Sequence, residues 1–275
     1  MATINTNSGA MVALQNLNQT NKELEQVQSR INTGLAVASA RDNGGVFAVA
    51  QSMRSDVNGF KAVGNSLDLA QSTVDVALAA GEAISDVLIE MKEKALAAAD
   101  SSLDTASRTA LNEDFKALRD QIDTIVSNAE FNGTNLIDGS KTAGVSALAN
   151  ADGSNSLTVD DEDLSLGGSK VTLAATASFS TATQADNIVS QIESSLDNLN
   201  ASLARFGTGS KALGIHKEFV GKLSDALEKG IGNLVDADLA KESARLQSLQ
   251  VKQQLGVQAL SIANQAPSSV LGYFR

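Results

Sequence analysis

From Phe60 to Ala98, apolar or small residues recur without a break in alternating steps of three and four. The series is Phe60, Val63, Leu67, Ala70, Val74, Ala77, Gly81, Ile84, Leu88, Met91, Ala95 and Ala98. A repeat of this period keeps one helix face turned toward a partner and marks a coiled-coil seam. A stripe this long predicts a rod rather than a helix of ordinary globular length. Its large members, Phe60, Val63, Leu67, Val74, Ile84, Leu88 and Met91, are therefore candidate core residues. A second series at intervals of seven, Ile192, Leu199, Phe206, Leu213, Val220 and Leu227, is reinforced by Val189, Leu196 and Leu203 and predicts a second long helix beside the first. Between them, Ser101, Ser102 and Asp104 supply candidate caps. Leu111, Phe115, Leu118, Ile122, Ile125 and Ala129 then resume the spacing, which predicts an antiparallel return helix.

The chain ends carry the same pattern in a more polar form. Near the start the seam runs Leu14, Leu17, Asn21, Leu24, Gln28, Ile31, Leu35. A last helix, expected from about Asp236, places Leu239, Leu246 and Leu260 on one line with Leu249, Gly256 and Ala263 beside it, and Pro267 is expected to kink or end it. Asn132-Gly133 and Asp138-Gly139 are turn dipeptides, and Leu157–Val159 and Val171–Leu173 are short β-like runs on either side of Gly167-Gly168. Residues 132–181 therefore read as a hairpin-rich insert. The fold class expected is mainly α: long antiparallel coiled-coil helices formed by both chain ends, with a small β insert.

Composition restricts function. Among 275 residues there is one proline and no cysteine or tryptophan, which suits long helices and excludes a disulfide framework, a thiolate metal site and a cysteine nucleophile. A formal net charge of -11 opposes the phosphate-driven affinity that nucleic acid requires. No stretch is apolar enough to span a bilayer, and the start lacks the pattern of a secretory signal, so any export is expected to use another route. Gly207-Thr208-Gly209-Ser210-Lys211-Ala212 fits a dinucleotide-binding spacing, but a helical stripe precedes it where that chemistry needs a strand, so it reads as a flexible or kinked point in a helix. The Asp160-Asp161-Glu162-Asp163 run lacks calcium-loop spacing and reads as a solvated loop. His216 is the only histidine and has no partner for catalysis or metal ligation, so a surface or seam position is expected. No catalytic, cofactor-binding or metal site is expected.

The two ends carry a further signal. No charged side chain occurs before Lys22 or between Lys252 and Arg275, although 19% of the chain is charged. Charges are costly in a crowded protein interior, whereas amides can satisfy one another across helices and small residues allow close approach. The ends therefore read as surfaces built to be buried against other polypeptide, with Leu14, Leu17, Leu24, Ile31, Leu35, Leu239, Leu246, Leu249 and Leu260 as the candidate packing residues.

Several motifs resemble bacterial flagellin. Ile4-Asn5-Thr6-Asn7 is similar to the family's opening, and Arg30-Ile31-Asn32-Thr33-Gly34-Leu35 followed by Ser39-Ala40-Arg41-Asp42-Asn43 is similar to its R-L-S-S-G-L…N-S-A-K-D-D segment. Phe131-Asn132-Gly133 matches F-N-G, and Asp236-Ala237-Asp238 matches D-A-D. Ala263-Asn264-Gln265-Ala266-Pro267, Val270-Leu271 and Arg275 match the close A-N-Q-x-P-x-x-V-L-x-x-x-R. The resemblance implies a structural subunit of the flagellar filament, compact as in alphaproteobacteria. Residues 1–42 and 231–275 would form an inner domain and residues 43–230 a shell domain with the insert facing outward. It implies copies of itself or similar flagellins as partners. Also implied are the flagellar export apparatus and a chaperone, and hook-associated junction and cap proteins, with an extracellular location and no membrane insertion. Thr172, Thr176, Ser178, Ser180, Thr181 and Thr183 would then be exterior hydroxyls open to O-glycosylation. A hook–filament junction protein resembles flagellin at both ends as well, but the C-terminal motifs favour flagellin. A soluble coiled-coil secretion adaptor would be expected to have charged ends.

Overall fold

The computed structural model describes residues 6–271, with side chains as far as Gln265. Ile4 and Asn5 of the opening motif and Arg275 of the closing one lie outside the described residues. The chain forms two compact units, one of Met1–Ser55 with Ala226–Arg275 and the other of Asp56–Asp225. In chain order the elements are α1 (Ser8–Thr33), α2 (Gly44–Ala98), α3 (Thr105–Asn128), β1 (Glu130–Phe131), β2 (Thr134–Asn135), β3 (Val145–Leu148), β4 (Ser156–Val159), α4 (Ala182–Val235) and α5 (Leu239–Leu271). The fold is mainly α with a small β insert, as the repeat predicts.

In the 56–225 unit, α2 and α4 lie antiparallel. Lys92 pairs with Glu193 at 2.8 Å, Asp75 Oδ1 accepts from Ser210 Oγ at 3.2 Å, and Asp68 pairs with Lys217. The three-four stripe of α2 is buried from Val63 to Ala98, with Phe60 partly buried at its start. On α4 the line Ile192, Leu199, Phe206, Leu213 and Val220 is buried opposite it. The chain then turns into α3 at Asp104, whose side chain caps the helix by accepting from Ser107 N at 2.7 Å. Arg108, itself buried, closes the other side of this turn. It donates to the carbonyl of Ala98, the last residue of α2, at 2.9 Å and to those of Asp100 at 2.9 Å and Leu103 at 3.2 Å in the turn that follows.

The insert departs from the sequence reading in three respects. Asn132 and Gly133 do form a tight turn, with φ of 50 and 76 as a type I′ hairpin requires, joining β1 to β2. The Leu157–Val159 run, however, pairs antiparallel with Val145–Leu148 and not across Gly167-Gly168 with Val171–Leu173. Val171 and Leu173 belong to no strand; both side chains are buried in the core with Leu164 and Phe179. Apolar run length reported their burial correctly but could not report backbone pairing. Nor is Glu162 solvated: it is buried, accepts from Arg205 Nη2 at 2.9 Å and Ser202 Oγ at 3.1 Å, and pairs with Lys170 at 3.2 Å. Burial raises the Glu162 carboxyl most strongly of any single influence. The hydrogen bonds from Arg205, Lys170 and Ser202 and the Lys170 charge together outweigh it and hold the group below its ordinary value.

What places the insert is a second line on α4, spaced by seven: Ser195, Ser202, Gly209 and His216. Ser195 Oγ accepts from Thr172 N at 3.1 Å, Ser202 donates to Glu162, Gly209 lies beneath Val159, and His216 Nε2 donates to Ala149 O at 2.7 Å. The insert thus runs down α4 in the direction opposite to the helix. On α2, Ser66 Oγ accepts from Leu148 N at 3.1 Å, and one heptad earlier a β-carbon on Gly59 would stand 2.7 Å from Ala151 Cβ.

Candidate assembly interface

In the other unit α1 and α5 pack antiparallel along their length. Asn7 joins their ends: Oδ1 caps α1 by accepting from Ala10 N at 3.0 Å, while Nδ2 donates to Ala263 O at 2.7 Å. Further along, Leu17 lies over Gly256, where an added β-carbon would stand 3.3 Å from Leu17 Cδ1, and Gln253 Nε2 donates to Asn21 Oδ1 at 2.8 Å. Amide pairs of this kind satisfy buried polar groups without charge. Among the described residues, Val27 and Leu249 are the buried apolar residues of α1 and α5. At the far end Arg30 Nη1 donates to Glu242 Oε1 at 3.1 Å, leaving Arg30 Nε and Glu242 Oε2 buried without a hydrogen-bond partner.

The connecting motifs have local reasons. Gly34 ends α1 in the left-handed conformation at φ 73, which favours glycine, and its N–H bonds to Arg30 O. The chain leaves it extended, so that Leu35 bridges Asp236, Ala36 N donates to Val235 O at 2.7 Å, and Ala237 N donates to Gly34 O at 2.8 Å. Asp42 Oδ2 accepts from Ser39 N at 2.9 Å and Ala38 N at 3.1 Å. The backbone bond from Ser39 is the chief cause holding its carboxyl below the ordinary range. Asn43 Oδ1 then accepts from Val46 N at 3.2 Å as α2 begins. Asp238 opens α5 by accepting from Ala240 N and Lys241 N, each at 3.1 Å. The helix continues through Pro267 to Leu271, so Pro267 does not end it: a proline this close to a terminus removes one N–H bond and leaves the remaining turns intact.

Of the terminal packing residues, Leu249 is buried and Leu17, Leu24, Ile31, Leu35, Leu246 and Leu260 are half-buried, whereas Leu14 and Leu239 are about half exposed. The pair also turns Met11, Val12, Val251, Leu255, Val257 and Ile262 outward, each more than half exposed. Apolar side chains exposed to this degree gain from burial against further polypeptide. Val27, Asn7 and the Arg30–Glu242 pair are interface residues that the seam did not single out. In the 56–225 unit, Val63, Leu67, Val74, Ile84, Leu88, Met91, Leu199, Phe206 and Leu213 are buried and Phe60 partly so. The hydroxyls of Thr172, Thr176, Ser178, Ser180, Thr181 and Thr183 belong to exposed residues. Ser180 Oγ donates to Gln184 Oε1 at 2.9 Å, and Thr181 Oγ1 accepts from Gln184 N at 3.3 Å at the start of α4. The Gly207–Ala212 segment lies within α4, with helix and not strand immediately before it. Among the described residues there is no group of three or more His, Cys, Asp or Glu placed to hold a metal, and no helix long and apolar enough to cross a membrane.

Residues 4–142 match the bacterial flagellin N-terminal helical region, and residues 189–274 match the bacterial flagellin C-terminal helical region. Flagellin FljM of Caulobacter vibrioides is 57% identical over 272 residues, covering 99% of this chain and 98% of that protein. A flagellin of Brucella melitensis is 38% identical, with both chains covered completely. A solved chain from Vibrio parahaemolyticus, provisionally described as a flagellar hook-associated protein, shares the fold with a TM-score of 0.59 at 15% identity, covering 71% of this chain and 100% of that one. Between them the two family regions take in α1, α2, α3, most of α4 and α5, and the chain therefore belongs to the bacterial flagellin family and is a structural subunit of the extracellular flagellar filament.

Proposed function

We propose that α1 and α5 of many copies pack into the inner tube of the filament, from residues 1–42 and 231–275, while residues 43–230 form a shell around it and the insert faces outward. The observation that carries this reading is the helix pair itself. Its charge-free stretches present five apolar residues more than half exposed, Met11, Val12, Leu255, Val257 and Ile262, beside amides already paired across the helices. A surface of this kind gains most from burial against further copies, at about 25 cal/mol per Å² of apolar area removed from water. The filament is then a passive propeller, and the subunit needs no catalytic residue.

The chain would leave the cell through the flagellar export apparatus, escorted by a chaperone, and would meet hook-associated junction and cap proteins at the filament's two ends. A chain without cysteine has no disulfide to obstruct passage in an unfolded state. The exposed hydroxyls from Thr172 to Thr183 are candidate O-glycosylation sites. Intact-mass measurement of native filament protein is expected to exceed the mass of the unmodified chain.

Elongation of short filament seeds by purified monomer tests the assignment of the ends. The unmodified chain is expected to extend them and Leu260→Asp to fail, because the half-buried Leu260 stands in the uncharged stretch of α5. A Leu260→Asp chain that extends seeds at the unmodified rate would remove the inner-tube assignment.

A further inference from the structure

The contact faces of α1 and α5 repeat themselves, and a repeat leaves its own alignment open. Covered residues recur in steps of four and three at Glu242, Leu246, Leu249, Gln253, Gly256 and Leu260 of α5, and at Ala13, Leu17, Thr20, Leu24, Val27 and Ile31 of α1. Leu17 lies over Gly256. Sliding α5 by one heptad, about 10.5 Å, would set Leu249 or Ala263 in the place of Gly256 and keep an apolar line opposite α1. Nor do the backbone contacts choose among these alignments. The bridge between Leu35 and Asp236 and the bond from Asn7 to Ala263 O use backbone groups that every residue of α5 other than proline carries in full.

Two side-chain pairs do choose. Gln253 Nε2 donates to Asn21 Oδ1 at 2.8 Å, and Arg30 Nη1 donates to Glu242 Oε1 at 3.1 Å. After a slide of one heptad Asn21 would face Leu246 or Leu260, and Arg30 would face Val235 or Leu249. That strands a half-buried amide and a guanidinium whose side chain is only 25% exposed. As a source of stability the charged pair is poor, since Arg30 Nε and Glu242 Oε2 are buried and, among the described residues, without a hydrogen-bond partner. Polar residues that cost stability and admit a single alignment are how coiled coils fix register. We propose that Asn21–Gln253 and Arg30–Glu242 specify the register of α1 against α5, so that every copy offers its neighbours the same outward face. This inference rests on the inner-tube reading above for its consequence in assembly, and it assigns the two polar pairs a role in alignment that apolar packing does not supply.

The absence of native cysteine allows the register to be read directly. A β-carbon on Gly256 would stand 3.9 Å from Leu17 Cβ, inside the roughly 3.5–4.5 Å that a disulfide spans. Leu17→Cys/Gly256→Cys therefore reports the native alignment as a link within one chain, identified by peptide mapping before and after reduction. Leu17→Cys/Leu249→Cys and Leu17→Cys/Ala263→Cys close only after a slide of one heptad. In oxidised filaments, Asn21→Leu/Gln253→Leu/Arg30→Met/Glu242→Leu is expected to lower the ratio of native to slipped links at least about tenfold. Restoring Arg30 and Glu242 alone should recover part of that ratio. An unchanged ratio overturns the proposal, however stable the leucine-substituted pair becomes. Should the four-site variant not polymerise, the same ratio is read on the free full-length chain at low concentration, and an unchanged value there overturns the proposal equally. Failure of the unmodified chain to extend seeds counts instead against the inner-tube reading, and the link ratio on the free chain then decides the register claim.

Discussion

Gly209 on α4 lies directly beneath Val159 of β4, so close that a β-carbon at Gly209 would stand 2.8 Å from Val159 Cγ1 and 2.9 Å from Cγ2. Gly209 belongs, with Ser195, Ser202 and His216, to the line on α4 that the insert covers. Its lack of a side chain is what lets β4 approach. Val159 is a stiff β-branched residue and cannot move aside as the end of a flexible chain could. Gly209→Ala is therefore expected to lower the stability of the 56–225 unit by about 1–3 kcal/mol, despite alanine's better helix propensity. Adding Val159→Ala should recover part of the loss. Chemical denaturation of the two single variants and the double variant measures the coupling, and additive effects would place the contact elsewhere.

Glu162 gives the insert a pH-dependent anchor. Its carboxyl is held below the ordinary value when folded, so its stabilisation is present above the ordinary carboxylate range and is lost as pH falls through the lowered folded value. Glu162→Gln removes the charge facing Arg205 and Lys170. Because Arg205 is half exposed and water compensates part of the loss, about 1–3 kcal/mol is expected at neutral pH. The difference from the unmodified chain should shrink as the pH is lowered below the carboxylate range. Melting temperatures that differ equally at pH 7 and pH 3 would show that the charge is not the source.

Much of this fold is legible in the sequence because buried apolar residues on a long helix carry their own register. The stripe from Val63 to Ala98 needs no other information. The second line of α4 is different: Ser195 and Ser202 are buried, and Gly209 and His216 half-buried, because the insert covers them, and none carries an apolar signal. Search by hydrophobicity finds the neighbouring Leu196 and Leu203 instead, which are only partly buried. Small size at spacing seven is the signal that would have found the line. The Glu162 anchor was hidden in the same way, since its cations lie eight and forty-three residues away in the chain. In the terminal pair, leucine spacing located the helices. The clamp atoms of Asn7 and the buried Val27 required the backbone geometry of Ala263 and of α5 to become visible.

Val74 tests the seam in isolation from assembly. It is fully buried in the middle of the α2 stripe, within a unit that has its own core. Val74→Asp places an uncompensated carboxylate there and should cost the monomer about 3–5 kcal/mol. A thermal melt of the free monomer identical to that of the unmodified chain would show that this face is not the core.

Ile262 offers the most direct measurement on the terminal helices, because it lies on α5 at 70% exposure and a charge placed there meets water in the free subunit. Ile262→Asp is therefore expected to leave monomer melting within about 0.5 kcal/mol of the unmodified chain. In an inner tube the same carboxylate would be desolvated in every copy, next to its own repeats, and polymerisation should fail. The measurement is seed elongation at matched monomer concentration. No extension by a normally folded Ile262→Asp monomer is the predicted result, and filaments as long and as numerous as those of the unmodified chain would contradict the assignment of α1 and α5 as the element that builds the filament.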